Sequence, residues 1–131
     1  MKLKDCWEKA MKVLVVDDEQ ALREILDINL SLAGFQVERA ATVSEAREAL
    51  QADLPDLILL NVRLAGEDGV SFCREIKGDP RFSQVKVVIL SAKVQYQDIE
   101  RGLKAGADDY LTKPFDPLEL SQRLQKILGE N

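Results

Sequence analysis

The stretch Val13-Leu14-Val15-Val16-Asp17-Asp18-Glu19 decides the fold. Four consecutive apolar residues, three of them β-branched, run directly into carboxylates with no alternation of polar and apolar positions. A strand of this kind has no wet face. Both sides must be covered, which places it in the centre of a parallel sheet with helices packed on each side. Two more runs share that character, Leu57-Ile58-Leu59-Leu60 and Val87-Val88-Ile89-Leu90. Phe35-Gln36-Val37-Glu38 alternates instead, as an edge strand does, and Asp109-Tyr110-Leu111 is short enough to form the opposite edge.

Segments of helical periodicity fit between these strands. They span residues 19–33, closed by Gly34, residues 43–51, with Thr42 as N-cap, and residues 68–77, stopped by Gly78. Two more span residues 96–105, ended by Gly106, and residues 117–128, with Pro117 in the first turn. On the first helix Leu22, Ile25, Leu26, Asn29 and Leu30 share a stripe that is assigned to the core. Strands alternating with helices predict an α/β fold: a doubly wound, five-stranded parallel sheet in the flavodoxin-like order 2-1-3-4-5, with helices on both faces.

A chain of 131 residues fits one domain over residues 11–131, preceded by an extension at residues 1–10. Within the extension Leu3, Cys6, Trp7 and Ala10 recur at helical spacing, so it reads either as a short amphipathic helix or as a frayed leader. Eighteen basic against 23 acidic residues leave a net charge of −5, which argues against direct binding of nucleic acid. The apolar runs are too short to cross a membrane, and a cytoplasmic location is expected. Cys6 and Cys73 lie far apart without CxxC spacing and read as reduced thiols. The chain contains no histidine, which excludes Ser/His/Asp and Cys/His catalysis, His-ligated metals and a phosphohistidine donor.

The polar residues that follow the buried strands are Asp17 and Asp18 after the first, Asn61 after the third, Ser91 after the fourth and Lys113 after the fifth. In the predicted topology they converge on one edge of the sheet. Adjacent carboxylates with another oxygen donor opposite suit a hard divalent cation such as Mg2+. A hydroxyl at Ser91, a backbone N–H at Ala92 and the Lys113 ammonium are the groups that clamp the oxygens of a phosphoryl group in transfer.

These segments, together with Pro55-Asp56-Leu57-Ile58-Leu59-Leu60-Asn61, Val88-Ile89-Leu90-Ser91-Ala92 and residues 106–115, resemble in order and spacing the CheY-like receiver domain of two-component response regulators. The resemblance implies that Asp18 ligates Mg2+ directly, that Asp17 holds it through water, and that the backbone carbonyl of Arg63 is a third protein ligand. It makes Ser91 the hydroxyl that moves toward a phosphoryl group, Tyr110 the aromatic switch that follows it, and Lys113 the partner of acceptor and phosphate, with a cis bond to Pro114. Arg63 and Lys93 occupy positions that tune phosphoryl lifetime in the family. As residues they read first as solvated loop charges.

Two positions depart from the pattern. The acceptor aspartate of the family is replaced by Asn61, a poor nucleophile that forms no stable acyl phosphate and weakens a Mg2+ site by removing one negative charge. An engineered substitution that freezes the unphosphorylated state and a natural pseudo-receiver are the leading explanations; spontaneous deamidation to aspartate is a third, slow because bulky Val62 follows. The second departure, Ala65, replaces a common proline and loosens its loop. The expected function is a non-enzymatic phosphorelay signalling module. Its partners would be a sensor histidine kinase or histidine phosphotransfer protein, docking on the first helix, and a downstream effector contacted through the face of helix 4, strand 5 and helix 5. The alternative is a Mg2+-dependent phosphatase of the haloacid-dehalogenase type, disfavoured because its paired aspartates are separated by one residue whereas Asp17 and Asp18 are adjacent.

Overall fold

The backbone of the computed structural model, described for residues 10–64, 66–92 and 96–129, alternates strand and helix along its whole length. The strands are β1 (Lys12–Val16), β2 (Gln36–Ala40), β3 (Leu57–Asn61), β4 (Lys86–Ala92) and β5 (Asp109–Lys113). The helices are α1 (Gln20–Leu32), α2 (Val43–Ala52), α3 (Gly69–Gly78), α4 (Tyr96–Lys104) and α5 (Pro117–Ile127). Within this five-stranded sheet the neighbouring strands pair in parallel, in the spatial order β2-β1-β3-β4-β5. The predicted fold class and strand order are therefore observed.

Side-chain alternation along the central strands divides the core in two. Leu14, Val16, Ile58 and Leu60 face α2 and α3, where they meet Val43, Ala46, Leu50, Val70, Phe72 and Ile76. Val13, Val15, Leu57 and Leu59 face α1 and α5, where they meet Leu26, Leu30, Leu120 and Leu124. All five residues of β3 are buried, as a strand covered on both sides requires. Each fully buried leucine contributes about 1.5–3 kcal/mol of transfer free energy, so this sheet holds its ends firmly in place.

Four details differ from the sequence reading. β4 and β5 continue past their apolar runs to Ala92 and Lys113, pairing Ser91 with Thr112 and Ala92 with Lys113. Ladder hydrogen bonds belong to the backbone, so polar side chains do not end a strand. Ile25, assigned to the core, is 48% exposed, because the buried stripe of α1 is narrow and runs through Leu26 and Leu30. Gly78 is the last residue of α3 rather than a stop beyond it, and Asp79 caps the helix. A two-residue hairpin pairs Arg63–Leu64 with Glu67–Asp68 between β3 and α3.

Gly34 follows α1 at φ 100°, in the left-handed region that a side chain disfavours. Cys73 is a free, buried thiol, pushed up to about 11 by burial. The extension through residues 1–9, with Cys6, and the positions Ala65 and Lys93 lie outside the described residues. Among the described residues no helix is long and apolar enough to cross a membrane.

Candidate functional site

Parallel strands end on the same edge of a sheet, and the carboxyl ends of β1, β3, β4 and β5 bring together the residues singled out above. Asp17 directly follows β1 and is fully buried. Its N–H donates to the Ala40 carbonyl at 3.1 Å, and its Oδ1 accepts from the Glu19 N–H at 2.9 Å in a local turn. Its carbonyl accepts from the Arg23 guanidinium at 2.6 Å. The remaining oxygen, Oδ2, lies 3.4 Å from Lys113 Nζ, so a buried anion is offset by an ammonium arriving from the end of β5. Asp18, the next residue, is exposed.

Asn61 ends β3, opposite Leu90 of β4. Lys113 Nζ donates to its Oδ1 at 3.3 Å, and its Nδ2 donates to the backbone carbonyl of Arg63 at 2.8 Å. Chemistry fixes the orientation of this amide. An ammonium can only donate and a carbonyl can only accept, so oxygen must face Lys113 and nitrogen must face Arg63. Ser91 is buried, its Oγ donating to the Ala92 carbonyl at 3.3 Å. The Lys113–Pro114 peptide is cis, as the resemblance implied.

Tyr110 is 36% exposed and stands two residues before Thr112, the strand partner of Ser91. It lines a groove on the outer face of β5 with Tyr96, Phe115, Glu119 and Arg123, which borders the expected output surface. Arg123 forms an ion pair with Asp109 at 3.0 Å beside it.

The oxygen donors gathered at this edge are of the type that suits a hard cation. Of the oxygens expected to face Mg2+, Asn61 Oδ1 accepts from Lys113 and the Arg63 carbonyl accepts from the Asn61 amide. Among the described residues, no three or more His, Cys, Asp or Glu side chains are placed to hold a metal ion.

Sequence reasoning missed a charged group next to this edge. The Arg63 guanidinium, read as a solvated loop charge, pairs with Asp98 of α4 at 3.2 Å, and Asp98 is only 6% exposed. Arg101 bonds Asp98 at 3.2 Å and Asp68, the N-cap of α3, at 2.7 Å. Burial would raise the Asp68 carboxyl, but hydrogen bonds from Arg101, Ser71 and the Val70 N–H hold it below the usual carboxylate range. The one local signal in the sequence was the Asp98/Arg101 pair at i, i+3 spacing.

The model of the response regulator receiver domain matches residues 13–125. Transcriptional regulatory protein GltR of Pseudomonas aeruginosa is 42% identical over 116 residues, covering 88% of this chain and 48% of its own length. CseB of Streptomyces coelicolor is 43% identical over 116 residues, with the same two shares. The chain thus spans about half the length of these curated relatives. Among solved structures, the signal receiver domain of a signal transduction histidine kinase from Syntrophus aciditrophicus superposes with a TM-score of 0.84 at 32% identity, over 92% of this chain and 91% of that one. Chemotaxis protein CheY4 of Vibrio cholerae superposes with a TM-score of 0.84 at 29% identity, over 90% of this chain and 98% of that one. These matches are to regulators and receiver domains and lend no support to the phosphatase alternative.

Proposed function

The chain belongs to the receiver-domain family of two-component response regulators, and from that premise we propose that it is a cytoplasmic signalling module whose phosphoacceptor position, Asn61, takes no phosphoryl group. The supporting observation is the bridge made by the Asn61 amide, from Lys113 Nζ on one side to the Arg63 carbonyl on the other. Acyl phosphate formation needs a carboxylate oxygen to attack phosphorus while the donor's leaving group departs. An amide oxygen is neutral and a weak nucleophile, and here its lone pairs face an ammonium. Ser91, the Ala92 N–H and Lys113 keep the phosphoryl-binding roles that the family assigns to their positions, and Tyr110 that of the switch. Asp17, Asp18, Asn61 and the Arg63 carbonyl correspond to the family's Mg2+ ligands, with affinity lowered by the lost charge.

Signalling then runs through protein contacts and involves no catalysis by this chain. The upstream partner is a sensor histidine kinase or a histidine phosphotransfer protein, and the downstream one an effector that meets the face of α4, β5 and α5. That face exposes Tyr96, Tyr110 and Leu118, enough apolar surface for a contact. Residues 11–131 constitute this receiver unit, and residues 1–10 an extension to it.

Intact mass after incubation with Mg2+ and a small acyl-phosphate donor tests the reading. The chain with Asn61 should gain no phosphoryl group, and the Asn61→Asp variant should gain one. Phosphoryl uptake by the unsubstituted chain would overturn it.

A further inference from the structure

Asp98 is a carboxylate in the first turn of α4, and a buried anion is tolerated only when both oxygens are compensated. Its Oδ2 accepts from Arg63 Nε at 3.2 Å, with a second guanidinium nitrogen also at 3.2 Å. Its Oδ1 accepts from Arg101 at 3.2 Å. Arg101 in turn reaches Asp68 Oδ2 at 2.7 Å, and Asp68 is fixed by the Val70 N–H and the Ser71 hydroxyl at the start of α3. The beginning of α4 is therefore moored by two ionic lines, one to the cap of α3 and one to the segment just after β3.

Only the second line passes through the functional edge. Arg63 stands two residues beyond Asn61 and has its two polar ends in different places. Its backbone carbonyl accepts the Asn61 amide at 2.8 Å, while its guanidinium holds Asp98. We infer that Arg63 is a positioning residue that ties helix α4 to the chemical state of position 61. With an amide at 61, the N–H bond holds the Arg63 peptide in the place from which its side chain meets Asp98 squarely. A carboxylate at 61 has no hydrogen to donate. Its lone pairs then oppose those of the Arg63 carbonyl, the peptide shifts, and the guanidinium loses its alignment on Asp98. In this way α4, a wall of the proposed output face, registers the presence or absence of charge at the acceptor position. The inference rests on position 61 being the signalling position.

Amide hydrogen exchange read by mass spectrometry on the full chain tests the link, using the unsubstituted protein, Arg63→Ala, Asn61→Asp and the double variant. Arg63 is largely exposed, so its removal leaves the core intact. Each single substitution should speed exchange across residues 96–104 by about tenfold, the loss expected when one charge-assisted hydrogen bond is cut. The double variant should exchange no faster than either single variant, because both cut the same line. With Arg63→Ala, peptides from α1 should not change. Arg63→Lys should recover part of the protection and Asp98→Asn should reproduce Arg63→Ala.

Effects in α4 that simply multiply in the double variant would overturn the inference. So would acceleration by Arg63→Ala but not by Asn61→Asp, which would reduce Arg63 to a local tether. Failure of the underlying functional reading shows elsewhere: Asn61→Asp would then take no phosphoryl group from the donor, whatever α4 does.

Discussion

Asn61→Asp in the absence of divalent cations should destabilise the protein, although it restores the residue that the family carries. The substitution removes the Nδ2 donor to the Arg63 carbonyl and places a second carboxylate on the ammonium already shared with Asp17. At an effective dielectric constant of about 20, attraction to Lys113 across 3.3 Å is worth about 5 kcal/mol. Repulsion from Asp17, which shares the same ammonium, and desolvation of the new charge offset this gain. What survives is the orphaned carbonyl, a loss of about 1–3 kcal/mol. For a domain of this size about 2 kcal/mol lowers the midpoint of thermal unfolding by roughly 5–10 °C. The assay is thermal unfolding followed by circular dichroism, with chelator and with millimolar MgCl2. The variant should melt lower in chelator and recover with Mg2+, because a ligand that binds only the folded state stabilises it by mass action. The chain with Asn61 should barely respond. A variant more stable than the parent in chelator, or a parent that gains as much from Mg2+, would refute the reasoning.

Three further outcomes follow from the same geometry. Lys113→Met leaves the fully buried Asp17 carboxylate without its cation and should cost about 2–4 kcal/mol in urea unfolding, the partial exposure of the lysine side chain softening the loss. Gly69→Ala should cost about 1–3 kcal/mol, because its Cβ would overlap the Asn61 carbonyl oxygen and stand 2.9 Å from that of Val62, forcing the start of α3 away from β3. The carboxyl of Asp68, held below its usual range in the folded state, contributes stability above that range that is lost as pH falls through its depressed value. The stability gap between the parent and Arg101→Ala should therefore be widest at neutral pH and close below about pH 4.

The sheet was legible because burial on both faces abolishes alternation, a signal that Val13 to Val16 and Leu57 to Leu60 carry without ambiguity. The position of the site was legible for a related reason. Once the strands are parallel, whatever follows each of them must share an edge, so Asp17, Asn61, Ser91 and Lys113 could be gathered from segments far apart. The cap at Thr42 was legible as well, and its hydroxyl accepts the Glu45 N–H at 3.0 Å. Other features depend on three-dimensional placement that no local pattern carries. Arg63 and Asp98 are separated by 35 positions, and a charged residue in a loop looks the same whether it meets water or a buried carboxylate. Ile25 lies on the margin of a helical stripe, where a small rotation decides between core and solvent. The commitment of the Arg63 carbonyl to the Asn61 amide arises only when the turn after β3 brings the two within 2.8 Å.

Asp17, Ser91 and Lys113 form one phosphoryl pocket only if these distant groups act together, lacking nothing but the acceptor charge. Two-dimensional amide NMR with Mg2+ and beryllofluoride, a phosphoryl mimic that bonds to a carboxylate, tests this most directly. For the chain with Asn61, adding beryllofluoride to the Mg2+ sample should leave the spectrum unchanged. Asn61→Asp should show saturable shifts centred on residues 17, 61–63, 91, 92 and 113. Saturable shifts at these positions with Asn61 in place, or shifts in the variant that bypass Ser91 and Lys113, would contradict a single pocket lacking only that charge.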